Sequence, residues 1–116
     1  MTLRATTLAG LAFAAALQAA GPAPEPIFSG TPKADWINVC ARCHGVLGNG
    51  RDATGRQLPD AGFDFTDARK ANRKKDDVWV KATLEGKDKM PAFKAKMTEA
   101  QVRRMIAEVI RPFAAR

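Results

Sequence analysis

Both cysteines and the single histidine of this 116-residue chain fall within five positions, in CARCH at residues 40–44. Three donor side chains set this close together could bind a metal, exchange electrons as a dithiol, or anchor a prosthetic group. A structural zinc site takes four ligands, usually all Cys or His, and the chain offers only Cys40, Cys43 and His44. Carboxylates would have to complete such a shell, an unusual solution for a structural site. A redox dithiol wants its C-x-x-C at the start of a helix inside a βαβ frame. Here the apolar positions ahead of CARCH have helical spacing, and no strand-like run accompanies them.

The compartment narrows the chemistry further. MTLRATTLAGLAFAAALQAAGPAPEP opens with one Arg, continues as an apolar run from Leu8 to Leu17, and passes through small residues into prolines. This is the layout of a secretory signal peptide, and the run is shorter than the ~20 residues a membrane span needs. Cleavage is expected after Ala19, with Ala20 and Gly21 as neighbouring options; an uncleaved membrane anchor is the competing reading. The expected division is therefore a signal peptide at 1–20, a flexible leader at 21–30 and a folded domain at 31–116. Outside the cytoplasm two neighbouring thiols would ordinarily oxidise to a disulfide. Covalent haem attachment is the meaning of C-x-x-C-H in an exported chain. Two thiols on one helical turn add across the two vinyl groups, and the next residue, His44, projects its imidazole at the iron.

Iron so held commonly takes a second axial ligand, and a thioether raises its potential. The chain has four methionines. Met1 falls in the signal peptide, Met105 lies on the apolar face of the last expected helix, and Met97 precedes a helix start. Met90 remains, in the loop-like GKDKMPAF, with Pro91 fixing the backbone beside it and Phe93 placed to cover a haem face. The bland alternative is that Met90 is a buried loop residue.

CARCHG, the following GNG, LPDAGFDFTDA, MPAF and a C-terminal amphipathic helix together resemble a class I monohaem cytochrome c. They are most similar to the small bacterial periplasmic members of the c5/c6/cbb3-type group, over residues 31–113. The resemblance implies an all-α fold whose N- and C-terminal helices cross and whose loops wrap one covalently bound haem c. It implies Cys40 and Cys43 as attachment points, and His44 and Met90 as the axial ligands and the only metal-binding residues. It also implies Pro59 as the residue whose carbonyl accepts the ring N–H of the axial His, an outer contact that orients such a ligand. Trp36 stands where the family has an aromatic that packs on the last helix. At the helix crossing the family often pairs a Gly with an aromatic, and Pro32 and Glu108 occupy those neighbourhoods here.

The elements that must position these groups are mostly readable. A first helix is expected from Pro32 or Lys33 to Cys43, capped by Thr31, with Trp36, Val39 and Cys40 on one face and Gly45 stopping it. The turn-rich VLGNGRDATGRQLP follows; it lacks the Gly-Lys-Ser/Thr of a phosphate-binding loop. Phe63 and Phe65 are expected to line the pocket or the core beneath it, with Thr66 or Asp67 capping a short turn. ARKANRKKDD has no apolar period and reads as solvated surface; without interleaved aromatics it does not fit single-stranded nucleic acid. Asp76 or Asp77 is expected to cap a helix running to Glu85, with Val78, Trp79, Ala82 and Thr83 facing inward. The last helix opens on a capping box at Thr98 and Gln101, with Met97 and Val102 as its hydrophobic staple. Val102, Met105, Ile106, Val109, Ile110 and Phe113 form its stripe, and Pro112 is expected to end it near Arg111.

A haem with both axial positions filled passes single electrons with little reorganisation, and no acid/base pair, second metal site or spare histidine is left for catalysis. The expected function is one-electron transfer in the periplasm, not enzymatic turnover. The alternatives are a haem subunit of a larger oxidoreductase, for sulfur compounds or alcohols for example, and a peroxidase or gas sensor. The net charge of +7 and the lysines around Met90 (Lys87, Lys89, Lys94 and Lys96) point to an acidic redox partner, a dehydrogenase, reductase complex or terminal oxidase. No role with nucleic acid is expected, and contact with a membrane only through a partner or an uncleaved anchor.

Overall fold

Pro32 opens the first helix, as its fixed φ and missing N–H favour. The computed structural model describes residues 2–3 and 28–115; the segment expected to be a signal peptide, apart from residues 2–3, and residues 21–27 of the expected leader lie outside the described residues. Helix α1 (32–44) is built from an α-helical turn Pro32–Asp35, a π-helical turn Trp36–Cys40 and a second α-helical turn Ala41–His44. The Ala41 N–H reaches the Trp36 carbonyl, five residues back. Gly45 ends the helix at φ 82°, where an added Cβ would sit 2.7 Å from the Arg51 carbonyl oxygen. Only glycine combines that backbone with that approach.

Thr31 occupies the N-cap position, but its side chain accepts no bond there. Asp35 serves this end of the helix instead. Its carboxylate accepts from the Ser29 N–H (2.6 Å), the Ser29 hydroxyl (2.7 Å) and the Gly30 N–H (3.1 Å). Residues 28–30, in the segment read as leader, are therefore packed on the domain, and Phe28 is buried.

The basic run 68–75 is not wholly solvated. Asp67 accepts from the Lys70 N–H and caps a short helix α2 (Ala68–Arg73), whose Ala71 is 1% exposed. Helix α3 (Asp76–Glu85) starts at Lys75 without a side-chain cap. Asp76 instead pairs with Arg111 at 2.7 Å. Trp79 and Val80 are the buried positions of α3, whereas Val78, expected inward, is exposed. The inner face is thus turned by about one residue, a step of roughly 100° on a helix.

Helix α4 (99–114) starts with the expected capping box: Gln101 N–H to the Thr98 hydroxyl, and Thr98 N–H to the Gln101 side chain. Met97 and Val102 are both buried, as are all six residues of the stripe. The helix does not stop at Arg111. It passes Pro112 to Ala114 through a π-helical turn, Ile106–Ile110, in which the Arg111 N–H bonds the Ile106 carbonyl. The widened turn shifts the bonding pattern just ahead of the proline, which has no N–H to contribute.

The described residues are helical and contain no strands, only two isolated bridges, Arg51–Gln57 and Lys87–Met90. Helices α1 and α4 pack on each other, with the Trp36 and Phe113 rings 5.1 Å apart. The glycine that permits close approach is Gly48, after α1, not a residue of the helix itself. At φ +70° its position leaves no room for a Cβ, which would lie 2.4 Å from Phe113 Cδ2. Trp36 fixes the turn between them by donating its indole N–H to the carbonyls of Gly45 and Val46, at 3.1 and 3.2 Å.

Candidate functional site

Cys40 closes the π-helical turn of α1, and Cys43 and His44 complete the α-helical turn that follows. The two thiols and the imidazole therefore leave one helix end together. Cys40 is half-buried and Cys43 exposed, and both thiols are free. Burial pushes the Cys40 thiol up to about 11, with the carboxylate of Asp35 and then Cys43 adding to the shift.

His44 is half-buried against aromatic rings, 5.7 Å from Trp36 in a stacked arrangement and 5.3 Å from Phe65. Phe65 in turn meets Phe63, Trp79 and Trp36 at 5.1–5.9 Å. Burial lowers the His44 pKa, and the Ala61 backbone acts weakly in the opposite direction. No atom stands in hydrogen-bond geometry to its buried Nδ1. The carbonyl of Pro59, the acceptor implied by resemblance, thus does not bond the ring in this structure. Pro59 is exposed, and the backbone that acts on the imidazole belongs to the buried Ala61 two residues on.

The loop after α1 is pinned to the same helix end. The Gly50 N–H donates to the His44 carbonyl at 2.7 Å, Leu58 N–H to Gly50, and Phe65 N–H to the Gly48 carbonyl. Residues 45–65 are in this way folded back along the imidazole.

Met90 ends a tight turn that leaves α3. Lys87 and Met90 exchange both backbone hydrogen bonds, at 3.1 and 2.8 Å, and Asp88 at the tip has φ 52°. Gly86 is again obligatory, since a Cβ there would lie 2.8 Å from the Met90 carbonyl oxygen. Beyond Met90 the chain returns to α3, with Phe93 N–H bonded to Thr83 and Lys94 N–H to Leu84. Met90 and Phe93 are both half-buried. The Phe93 ring meets Phe28 edge-on at 5.6 Å. Lys89 bridges to Asp60 at 3.1 Å, which ties the methionine turn to the loop that carries Pro59 and Ala61.

Sequence reasoning missed Phe28, Asp35, Gly48 and Arg111. Arg111 lies over the Trp79 ring at 4.1 Å and donates to the carbonyls of Ala71 and Lys74. It thereby fastens α2, α3 and α4 beneath the aromatic cluster. An Arg directly before Pro112 on the polar side of an amphipathic helix carries no local signal for that task.

No group of three or more His, Cys, Asp or Glu that could hold a bare metal ion exists among the described residues. What is present is a nitrogen donor with two adjacent thiols on one turn, a buried ring nitrogen without a partner, and a thioether in a constrained turn. That set fits a covalently attached macrocycle and not a naked ion. A family model described as cytochrome c oxidase, cbb3-type, subunit III matches residues 30–107. The chain belongs to this family of class I monohaem c-type cytochromes. No curated protein and no solved structure matches it. As a c-type cytochrome it carries covalently bound haem c, works in electron transfer, and meets redox-partner proteins. Members of this class are typically exported. Among the described residues no helix is long and apolar enough to cross a membrane.

Proposed function

We propose that this cytochrome is a periplasmic one-electron carrier. Cys40 and Cys43 would form the thioethers, and His44 and Met90 would ligate the iron. The delivery of both thiols and the imidazole from one helix end supports this reading most directly. The bound haem supplies a reversible one-electron iron couple. The chain's own contributions are ligand identity, burial and orientation. Trp36 and Phe65 hold the His44 ring in a fixed attitude, and the 58–61 loop supplies the carbonyl that Nδ1 needs, Pro59 by family pattern or Ala61 by proximity. Phe93 closes the methionine side. Residues 1–20 act as the export signal and 21–30 as a leader whose last residues, 28–30, fold against α1 and Phe93. Expression with haem-maturation machinery tests the assignment. A covalent haem should survive acid-acetone extraction, Cys40→Ala/Cys43→Ala should abolish it, and Met90→Ala should remove the long-wavelength charge-transfer band of methionine-ligated ferric haem. A colourless mature protein with unmodified thiols would refute it.

Lys87, Lys94 and Lys96 are exposed around the methionine turn, and Lys89 is 81% exposed despite its pairing with Asp60. These charges steer an acidic partner, so partner oxidation should slow as ionic strength rises; a rate indifferent to salt would remove the steering role. The matching family is described as an oxidase subunit, which favours a second reading, a haem subunit resident in a larger complex. Size analysis of native periplasm separates the two: a free monomer supports the carrier, retention with a catalytic chain the subunit.

A further inference from the structure

We propose that the segment just ahead of α1 is a strap that holds the methionine turn in place, with Phe28 and Asp35 as its positioning residues. The inference rests on Met90 being an iron ligand. The strap is fastened at one end by Asp35, 3% exposed, whose carboxylate takes two hydrogen bonds from Ser29 and one from Gly30. A buried carboxylate that accepts several hydrogen bonds holds its donors firmly, because any break leaves a desolvated charge. The Gly30 carbonyl adds a contact with Arg104 of α4 at 3.4 Å. At its other end the strap delivers Phe28, 7% exposed, to the edge of Phe93 at 5.6 Å with the rings 85° apart.

Phe93 is a fulcrum for the methionine turn. It lies three residues past Met90, and its N–H bonds Thr83 on α3. Its carbonyl accepts from Lys96 and Met97, which start the approach to α4. The ring itself is only half-buried, so Phe28 supplies a wall that α3 and α4 do not. Asp35 stands five residues before Cys40, on the helix that bears the attachment cysteines. The strap thus couples the helix that bears the cysteines to the methionine turn through protein contacts alone. Its task is to keep Met90 from giving way to outside ligands.

Imidazole binding to the ferric haem-loaded protein measures how readily Met90 is displaced. Phe28→Ala should tighten imidazole binding roughly fivefold, the factor to which an edge-to-face ring pair of about 1 kcal/mol converts. Asp35→Asn should act in the same direction, and Phe28→Leu should restore much of the wild-type resistance. Asp67→Ala, which removes the cap of α2, is the control for general destabilisation. It should lower the unfolding midpoint and leave imidazole affinity unchanged. Equal effects of Phe28→Ala and Asp67→Ala, or no effect of Phe28→Ala, would overturn the strap. Met90→Ala distinguishes that failure from failure of its premise. If Met90→Ala leaves both the charge-transfer band and imidazole affinity as in wild type, the ligand assignment falls and the strap with it.

Discussion

Gly48→Ala should be among the most damaging one-carbon changes in the molecule, and its cost divides into two parts that can be measured apart. The first is conformational. At φ +70° a residue with a Cβ loses about 1–2 kcal/mol. The second is steric. The new methyl would lie 2.4 Å from Cδ2, 2.8 Å from Cε2 and 3.0 Å from Cγ of Phe113. Phe113 is 5% exposed and abuts Trp36, so it cannot swing aside without disturbing the contact between α1 and α4. Overpacking of this kind costs about 1–3 kcal/mol, for a total of about 2–5 kcal/mol. Guanidinium unfolding of the haem-loaded protein, followed by far-UV circular dichroism, should show a lower midpoint with an unchanged slope. Repeating the substitution in a Phe113→Ala background removes the obstacle and leaves only the conformational part. The double-mutant cycle should give a coupling of about 1–3 kcal/mol. Equal costs in the two backgrounds, or a cost under about 1 kcal/mol in the first, would refute the claim that Phe113 is seated on a glycine.

Other consequences are simpler to check. Thr98→Ala, by opening the capping box, should cost about 1 kcal/mol of unfolding free energy, while Thr98→Ser should cost less. Arg111→Met should cost about 2–4 kcal/mol in the same assay through lost charged hydrogen bonds and the contact with Trp79; Arg111→Lys should recover less than half, since an ammonium cannot fork between two carbonyls and a carboxylate. The carboxylate of Asp52 accepts from the Thr54 hydroxyl and from the Thr54 and Arg56 N–H groups, which hold its pKa below the ordinary carboxylate value. Its contribution to the 52–56 turn should be complete above about pH 3.9 and vanish as pH falls through the depressed folded value. Side-chain NMR titration checks the midpoint, and a value at or above that of a free aspartate would contradict the assignment.

Features encoded over a few neighbouring residues were readable before the fold was known. The attachment turn is contiguous, so Cys40, Cys43 and His44 had to leave one helix end once Trp36, Val39 and Cys40 set the period. Thr98 and Gln101 carry a reciprocal capping pattern that depends on nothing distant. The six-residue stripe of α4 kept its face because hydrophobic burial acts on every turn of a long helix. Features that depend on a distant partner were not legible. Val78 and Val80 are equally apolar, and which of them turns inward is decided by where Trp79 is trapped, under Arg111 and against Phe65. The helical turn at Ala68–Arg73 reads as solvent-facing because its anchors are one alanine methyl and an arginine some 40 positions downstream. Gly48 looked like one turn glycine among several, since nothing nearby in sequence announces that Phe113 will cover it. At the site itself, Met90 and Phe93 stand out by composition and by the proline between them. Phe28 does not, because it sits among prolines and small residues in a segment with the composition of a leader.

The π-helical turn at Trp36–Cys40 has a consequence for lineage as well as for shape. It absorbs one residue more than a regular turn, so the CARCH turn points where a helix one residue shorter would also aim it. Ile37 and Asn38 are the exposed members of that turn. Loss of either would let the backbone close to ordinary four-residue bonding with the cysteines and imidazole still facing the same way. A regular α-helix through the full-length sequence would instead carry them roughly 100° further round. Homologues that differ by a single deletion between Trp36 and the first cysteine can therefore share one haem orientation, and alignments that force those residues into register would misjudge which side chains are equivalent.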